Sequence, residues 1–206
     1  ALGATTSTQL DPALLNIRRV DLFGGQLYCT LATGSFFGVA TVGSGTPTAP
    51  TATISLLPGF PIASGPSPYD FFFADAHTLY VADDRTTGAG GIQKWTLTGP
   101  LWTLQYTFSP GSGVGCRGLT GFVDGGVSTL FATTTSNLLV KVTDTGSGAS
   151  VLPLVLGATN TAWRGIRFVR TPASITYSGL ACPTTVGSPA LGTGGGEPLT
   201  GNSTLQ

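Results

Sequence analysis

The chain has 206 residues, nine of them Lys or Arg and nine Asp or Glu, and its formal net charge is zero. Only 9% of the residues are charged, against about 25% in an ordinary globular protein. This low charge argues against a nucleic-acid partner, which needs clustered basic residues, and against electrostatic docking on a membrane surface. Apolar residues make up 41% of the chain, which permits a buried core and argues against disorder.

Several residue types are scarce. The chain contains no methionine, so we expect a processed or excised segment of a longer protein. No apolar run approaches the roughly 18 residues that span a bilayer, so we expect no membrane insertion. The three cysteines, Cys29, Cys116 and Cys182, are too few and too scattered for a disulfide scaffold or a zinc site. We therefore expect no cofactor.

Short runs of β-branched and aromatic residues, separated by Gly, Pro, Ser, Thr and Asp, predict an all-β protein. One helical turn is a candidate at residues 12–15, with Asp11 as its N-cap. The predicted strands follow in chain order at 18–23, 27–30, 38–42, 53–57, 69–74, 79–82, 91–95, 103–107, 117–123, 130–133, 138–142 and 151–155, with one more at 162–170.

These strands repeat. A pattern of Leu, an aromatic residue and two small or branched residues begins at Leu27, Leu79 and Leu130, at a spacing of 51 to 52 residues. Four short strands at this period are typical of β-propeller blades, so we predict three four-stranded blades plus one strand of a fourth. The alternative is two stacked β-sandwich domains, whose strands would not repeat their residue pattern at this period.

The repeats also predict the domain organisation. We expect a lead-in segment at 1–15, a partial β-propeller at 16–171, and a Gly/Pro-rich tail or the start of a further β module at 172–206. Propellers close with about four to eight blades. We therefore expect the rest of the ring to come from an upstream segment, a partner chain or copies of this chain.

Five segments resemble a family of secreted bacterial and algal β-propeller proteins of unknown activity, in that family's order. They are NIRRVDLFGGQLYCT at 16–30, TISLLPGFPIASGPSP at 53–68, LYVADDRTTGAGGIQKW at 79–95, RGLTG at 117–121 and TNTAWRGIRF at 159–168. The resemblance covers residues 14–170 and is to the C-terminal half of the propeller. It implies a seven-bladed ring whose first half lies upstream, and an extracellular or cell-surface location. The family has no established catalytic residues to carry over.

Three arginines stand at or near the start of predicted first strands: Arg19, Arg117 and Arg164. Tyr69 and Asp70 occupy the matching place in the middle blade. Because first strands line the channel of a propeller, these residues are candidates for a ligand-binding ring at one channel mouth, where guanidinium groups bind anions. The alternative, which we favour, is that each Arg holds neighbouring blades together.

Asp83 and Asp84 are a candidate metal site, because paired carboxylates bind Ca²⁺. We favour a strand end and turn, in which the carboxylates bond local amides and Arg85. His77 is the only histidine, and we expect it at a polar hairpin position because no catalytic partner is evident.

Trp95, Trp102 and Trp163 are candidates for stacking on sugars, although we expect Trp95 and Trp102 to pack as core. We predict no Cys29–Cys116 disulfide, because two blades separate them by more than the roughly 7 Å that a bridge allows between Cα atoms. Asn202 lies in a glycosylation sequon, which matters only in a secreting eukaryote.

Three functions remain in view. The first is a non-catalytic extracellular or cell-surface structural and binding protein, part of a larger assembly. The second is a carbohydrate-binding propeller with glycan partners. The third is a propeller hydrolase or lyase with its site at the channel mouth, which requires converging carboxylates or a metal there.

Overall fold

The structure is a computed structural model that describes residues 5–168. These residues form one compact unit that ends at Phe168. Within them there is no helix, and so none that could cross a membrane. They contain twelve strands: β1 (Ile17–Phe23), β2 (Gln26–Thr33), β3 (Phe36–Val42), β4 (Ile54–Leu56), β5 (Pro68–Asp75), β6 (Thr78–Asp83), β7 (Gly91–Thr98), β8 (Leu101–Phe108), β9 (Cys116–Asp124), β10 (Val127–Thr134), β11 (Leu138–Thr143) and β12 (Leu152–Leu156).

The strands form three four-stranded antiparallel sheets in chain order. The first sheet contains β1–β4, the second β5–β8 and the third β9–β12, and each strand pairs with its neighbours in sequence. The all-β prediction is confirmed, and each of the twelve strands expected in the three repeats is present. The Leu-aromatic pattern begins near the start of the second strand of every sheet, at Leu27, Leu79 and Leu130.

Two predicted elements differ. The carboxylate of Asp11 accepts hydrogen bonds from the N–H groups of Ala13 and Leu14 at 2.7 and 3.1 Å, as a cap would, but no helix follows. The strand predicted at 162–170 is not formed at 162–168, and residues 169 and 170 lie outside the described residues. A strand needs a hydrogen-bonding neighbour, and none of the twelve described strands pairs with residues 162–168.

The second sheet is buried on both faces. Side chains alternate along a strand, so Leu79 and Val81 of β6 join one apolar cluster while Tyr80 and Ala82 join another. This explains why the middle of β6 reads as an unbroken apolar run.

The cluster between the first and second sheets is rich in aromatic rings. Phe60 stacks on Trp95 with ring centroids 4.1 Å apart, and Phe23 stacks on Phe73 at 4.5 Å. The cluster between the second and third sheets is mainly aliphatic, with Leu119, Leu130 and Val142 fully buried. Two neighbouring sheets therefore share one core at each interface.

The first strand of the second sheet makes most of the contacts between sheets. β5 contacts β1, β2 and β3 of the first sheet and β9 of the third. The first and second sheets also meet near their fourth strands, where Trp102 N of β8 donates to Pro58 O in the loop after β4 at 2.8 Å.

Each outer sheet of the three has an apolar outward face. In the first sheet, Val20 and Leu22 are 48% and 57% exposed, although Leu10 and Leu14 of the lead-in cover other parts of this face. We call the pair Val20 and Leu22 the first end face. In the third sheet, Phe122 and Phe168 are 45% and 48% exposed and pack around Phe131. We call these three residues the second end face.

Candidate functional site

The structure brings together four of the five predicted ring residues. Arg19 of β1, Tyr69 and Asp70 of β5, and Arg164 line one open cleft of about 460 Å³. We call it the arginine cleft; its complete lining is Arg18, Arg19, Tyr69, Asp70, Arg164, Gly165, Ile166 and Arg167. Arg117, the fifth predicted residue, does not line it.

Asp70 is the centre of the arginine cleft, and its side chain is only 5% exposed. Its Oδ2 accepts a hydrogen bond from Leu119 N at 2.9 Å, and its Oδ1 accepts one from Phe71 N at 2.8 Å. Arg167 forms a two-pronged contact, with Nη1 3.2 Å from Oδ2 and Nη2 3.1 Å from Oδ1. Arg19 Nε lies 3.4 Å from Oδ1. Asp70 therefore connects all three sheets.

Arg19 and Arg117 form ion pairs between neighbouring sheets. Arg19 joins the first sheet to Asp70 of the second, and Arg117 Nε of the third lies 3.7 Å from Asp84 Oδ2 at the end of β6. Both Nε atoms are buried and make no hydrogen bond. For these two arginines, the inter-sheet role weighed against ligand binding matches the observed geometry.

Arg164 is placed differently. It is exposed, and its Nη1 donates one hydrogen bond, at 3.4 Å, to the hydroxyl of Tyr69. Within residues 5–168 it forms no ion pair. Its guanidinium group therefore keeps most of its donors for solvent or a ligand.

Two arginines of the cleft were missed in the sequence. Arg18 Nη1 donates to Ser67 Oγ at 2.8 Å and lies 3.2 Å from Asp84 Oδ1, and its guanidinium carbon is 5.4 Å from the Tyr69 ring centre. Neighbouring residues of a regular strand face opposite sides, but β1 has a register shift between Ile17 and Arg19. Such a bulge redirects a side chain. No residue pattern in the sequence predicts this bulge. Arg167 was missed because it lies inside the strand predicted at 162–170, whereas the candidate ring residues were those at or near strand starts.

The candidate metal pair is occupied by protein donors. Asp83 is fully buried; its oxygens accept from Arg85 Nε at 2.8 Å and from Ser67 N and Gln93 Nε2, both at 3.2 Å. Asp84 accepts from Ser67 Oγ at 2.6 Å. No cluster of three or more metal-ligating side chains occurs in the described part of the chain. The geometry matches the strand-end interpretation.

Trp95, Trp102 and His77 lie where the favoured interpretations placed them, in the core and in a hairpin turn. Trp95 and Trp102 are each 6% exposed and belong to the core, so neither offers a face to a sugar. Trp163 is half-buried and lines a small pocket beside Leu139. His77 is exposed in the hairpin turn, where its N–H donates to Asp75 at 2.7 Å.

A second polar cluster joins the second and third sheets at Asp144, whose side chain is 3% exposed. Lys94 Nζ lies 2.7 Å from one oxygen, Tyr106 donates to the other at 2.7 Å, and Tyr80 also donates to the carboxylate. Burial acts to raise the Asp144 pKa, but the hydrogen bonds from Lys94, Tyr80 and Tyr106 outweigh it and hold that pKa below its usual value. Burial, then the bond to Asp144, raises the Tyr80 pKa. Both carboxylate oxygens of Asp144 therefore already have protein partners, which leaves no open position for a ligand.

Cys29 and Cys116 are buried and free, so no disulfide joins them, as predicted. Burial raises the pKa of each thiol to about 12, with smaller contributions from the charges of Asp11 and Asp83 respectively. Both thiols therefore stay protonated at neutral pH and behave as small apolar side chains. Cys182 and Asn202 lie outside the described residues, as does the predicted tail at 172–206.

No protein-family model and no curated protein matches the chain.

Proposed function

We propose that the chain is a set of consecutive β-propeller blades in a non-catalytic structural and binding protein that acts outside the cell or at its surface. The observation that carries this proposal is that three four-stranded sheets, each formed by consecutive strands, pack in chain order, with β5 of the middle sheet against both of its neighbours. A propeller is built from such four-stranded blades, repeated around a central channel.

The two end faces support further blades. Val20 and Leu22 on one side, and Phe122 on the other, expose apolar side chains on sheet faces rather than at turns, and Phe168 packs beside Phe122. Apolar sheet faces gain stability by packing against another layer. We propose that each end face packs against a further four-stranded sheet and that the complete ring has seven blades. These sheets come from an upstream segment, a partner chain or another copy of this chain.

The buried carboxylates already accept hydrogen bonds and ion pairs from protein groups, which supports a binding rather than a catalytic role. Asp70, Asp83 and Asp144 each receive several donors from neighbouring strands or sheets. Carboxylates held in this way hold neighbouring strands and sheets together. The low charge, the many turns and the resemblance to secreted propellers support an extracellular location.

The test is the native mass of the purified 206-residue chain, measured by size-exclusion chromatography with light scattering. We expect a mass above the 20.8 kDa of one chain, because exposed end faces associate. Leu22→Lys and Phe122→Lys are expected to lower the association, since each places a charge on an end face.

Leu101→Lys is the matched control. The Leu101 side chain is 51% exposed, a fraction similar to that of Leu22. It begins β8 at a hairpin of the second sheet, away from both end faces. The proposal predicts that this variant keeps the wild-type mass. A wild-type chain that stays at 20.8 kDa at all concentrations, with a cooperative unfolding transition, contradicts it and favours a closed sandwich.

A further inference from the structure

We propose that the arginine cleft binds a small organic molecule of sugar size that carries one oxyanion group, either a carboxylate or a phosphate ester. This inference rests on the proposed binding function and names the class of ligand. Arg164 is the residue that contacts the oxyanion, and Arg18 and Arg167 border the same space.

Arg164 differs from the other arginines of the cleft. Arg19 and Arg167 both pair with Asp70, and Arg18 pairs with Asp84. Arg164 lines the same cleft but forms no ion pair within the described residues, and the Tyr69 hydroxyl alone orients it. A guanidinium group held at one nitrogen still presents a planar pair of donors to a carboxylate or phosphate.

The charges around the cleft do not balance. The lining residues and their direct ion-pair partners include four arginines and three aspartates: Arg18, Arg19, Arg164, Arg167, Asp21, Asp70 and Asp84. One positive charge remains unneutralised. In a chain with zero net charge, this local excess attracts an anion.

The polar groups that a ligand would meet in the cleft favour acceptor oxygens. The polar side chains around the cleft are mainly donors, since arginine has five N–H groups and no acceptor. Asp70, the one lining carboxylate, already accepts bonds from Leu119 and Arg167. A fitting ligand is therefore rich in acceptor oxygens. The volume of about 460 Å³ exceeds that of a free phosphate ion and falls within the roughly 300–1,000 Å³ of small-molecule sites.

The test is isothermal titration calorimetry of the 206-residue chain at low ionic strength with three probes: glucuronate, glucose 6-phosphate and glucose. We expect at least one anionic sugar to bind and glucose not to bind, because glucose lacks the oxyanion. Preference for glucuronate identifies a carboxylate ligand, and preference for glucose 6-phosphate a phosphate ester. Added salt should weaken binding, since exposed charges are screened.

The variant Arg164→Gln removes the proposed contact. We expect its affinity for the bound probe to fall about tenfold, the effect of losing one charge-assisted hydrogen bond. Arg164→Lys should lie between the two, because it keeps the charge but loses the fork. Lys141→Gln is the control: it removes the same charge from β11, outside the cleft lining.

Thermal unfolding should be the same for wild type and Arg164→Gln, since the side chain is exposed. The inference is overturned if neither anionic sugar binds wild type, if glucose binds equally well, or if Arg164→Gln binds as wild type does. The native mass of the same samples distinguishes failure of this inference from failure of the propeller proposal. If a probe binds and the chain does not associate, only the propeller proposal is contradicted. If the chain associates and no probe binds, only the ligand inference is contradicted.

Discussion

Asp70 and Leu119 belong to different sheets, and the Oδ2 atom of Asp70 accepts a hydrogen bond from the backbone N–H of Leu119 at 2.9 Å. Leu119 is fully buried, so its N–H has no access to water and needs a protein acceptor. The same carboxylate also receives Arg167 and lies beside Arg19. One side chain thus joins the first strands of three sheets.

Replacing Asp70 should destabilise the whole unit. Asp70→Ala leaves the Leu119 N–H without its acceptor and removes the more buried of the two carboxylates that Arg19 and Arg167 share, the other being Asp21. We expect a loss of about 3 kcal/mol in the free energy of unfolding, measured by urea denaturation. The control Asp75→Ala removes an exposed turn carboxylate that accepts only from His77 N and should cost about 1 kcal/mol or less. Equal effects would mean that Asp70 does not link the sheets.

Asp144 should make stability depend on pH in the acid range. Its folded pKa lies below the usual value because Lys94, Tyr80 and Tyr106 bond to it. A carboxyl with a depressed folded pKa adds stability above its unfolded pKa of about 3.9, and that stability is lost as pH falls through the lower folded pKa. Asp144→Asn should therefore lose about 2 kcal/mol at pH 7 and approach wild type at low pH.

The measurement is urea denaturation of wild type and Asp144→Asn between about pH 7 and pH 2. Asp124→Asn serves as the matched control, because Asp124 is exposed at the end of β9. The control should follow the wild-type curve. A constant difference between Asp144→Asn and wild type at every pH would show that the carboxylate charge is not what stabilises this interface.

Gly59 fixes the close approach of the first and second sheets. It has φ of +98°, and a Cβ added there would lie 2.1 Å from the carbonyl oxygen of Trp102. Pro58 O accepts a hydrogen bond from Trp102 N at 2.8 Å, so the two backbones are held together. Gly59→Ala should cost about 3 kcal/mol from backbone strain and displacement.

Gly148→Ala is the control for that variant. Gly148 has no neighbour within 4 Å of an added Cβ and no positive φ. The free energy of unfolding, measured for both variants by urea denaturation, should therefore change by about 0.5 kcal/mol or less in Gly148→Ala. If Gly59→Ala is equally mild, the loop after β4 must be able to move away from β8 without loss.

The strands were predictable because their evidence is local. Each repeat carries alternating or fully apolar runs between turn residues, and Leu27, Leu79 and Leu130 begin the same pattern at nearly equal intervals. These features depend on the pleat and on turn chemistry, both of which act within a few residues. The strand expected at 162–170 is not formed at residues 162–168, because pairing needs a neighbour that local sequence does not supply.

The arginine cleft was predictable only in part. Arg19, Tyr69, Asp70 and Arg164 were found because they recur at the starts of repeats. Whether an arginine is paired or available depends on distances between sheets, such as the approach of Arg19 to Asp70. Asp144 was missed for the same reason: its partners Tyr80 and Tyr106 lie 64 and 38 residues away in sequence.

The central claim is that the three sheets are blades of one ring. The measurement that tests it most directly is an experimental structure, by crystallography or cryo-electron microscopy, of the particle in its native assembly. The account predicts further four-stranded sheets against Leu22 on one side and Phe122 on the other, with β1, β5 and β9 lining a central channel. A particle in which these residues face solvent, or in which two sheets close on each other as a sandwich, would contradict it.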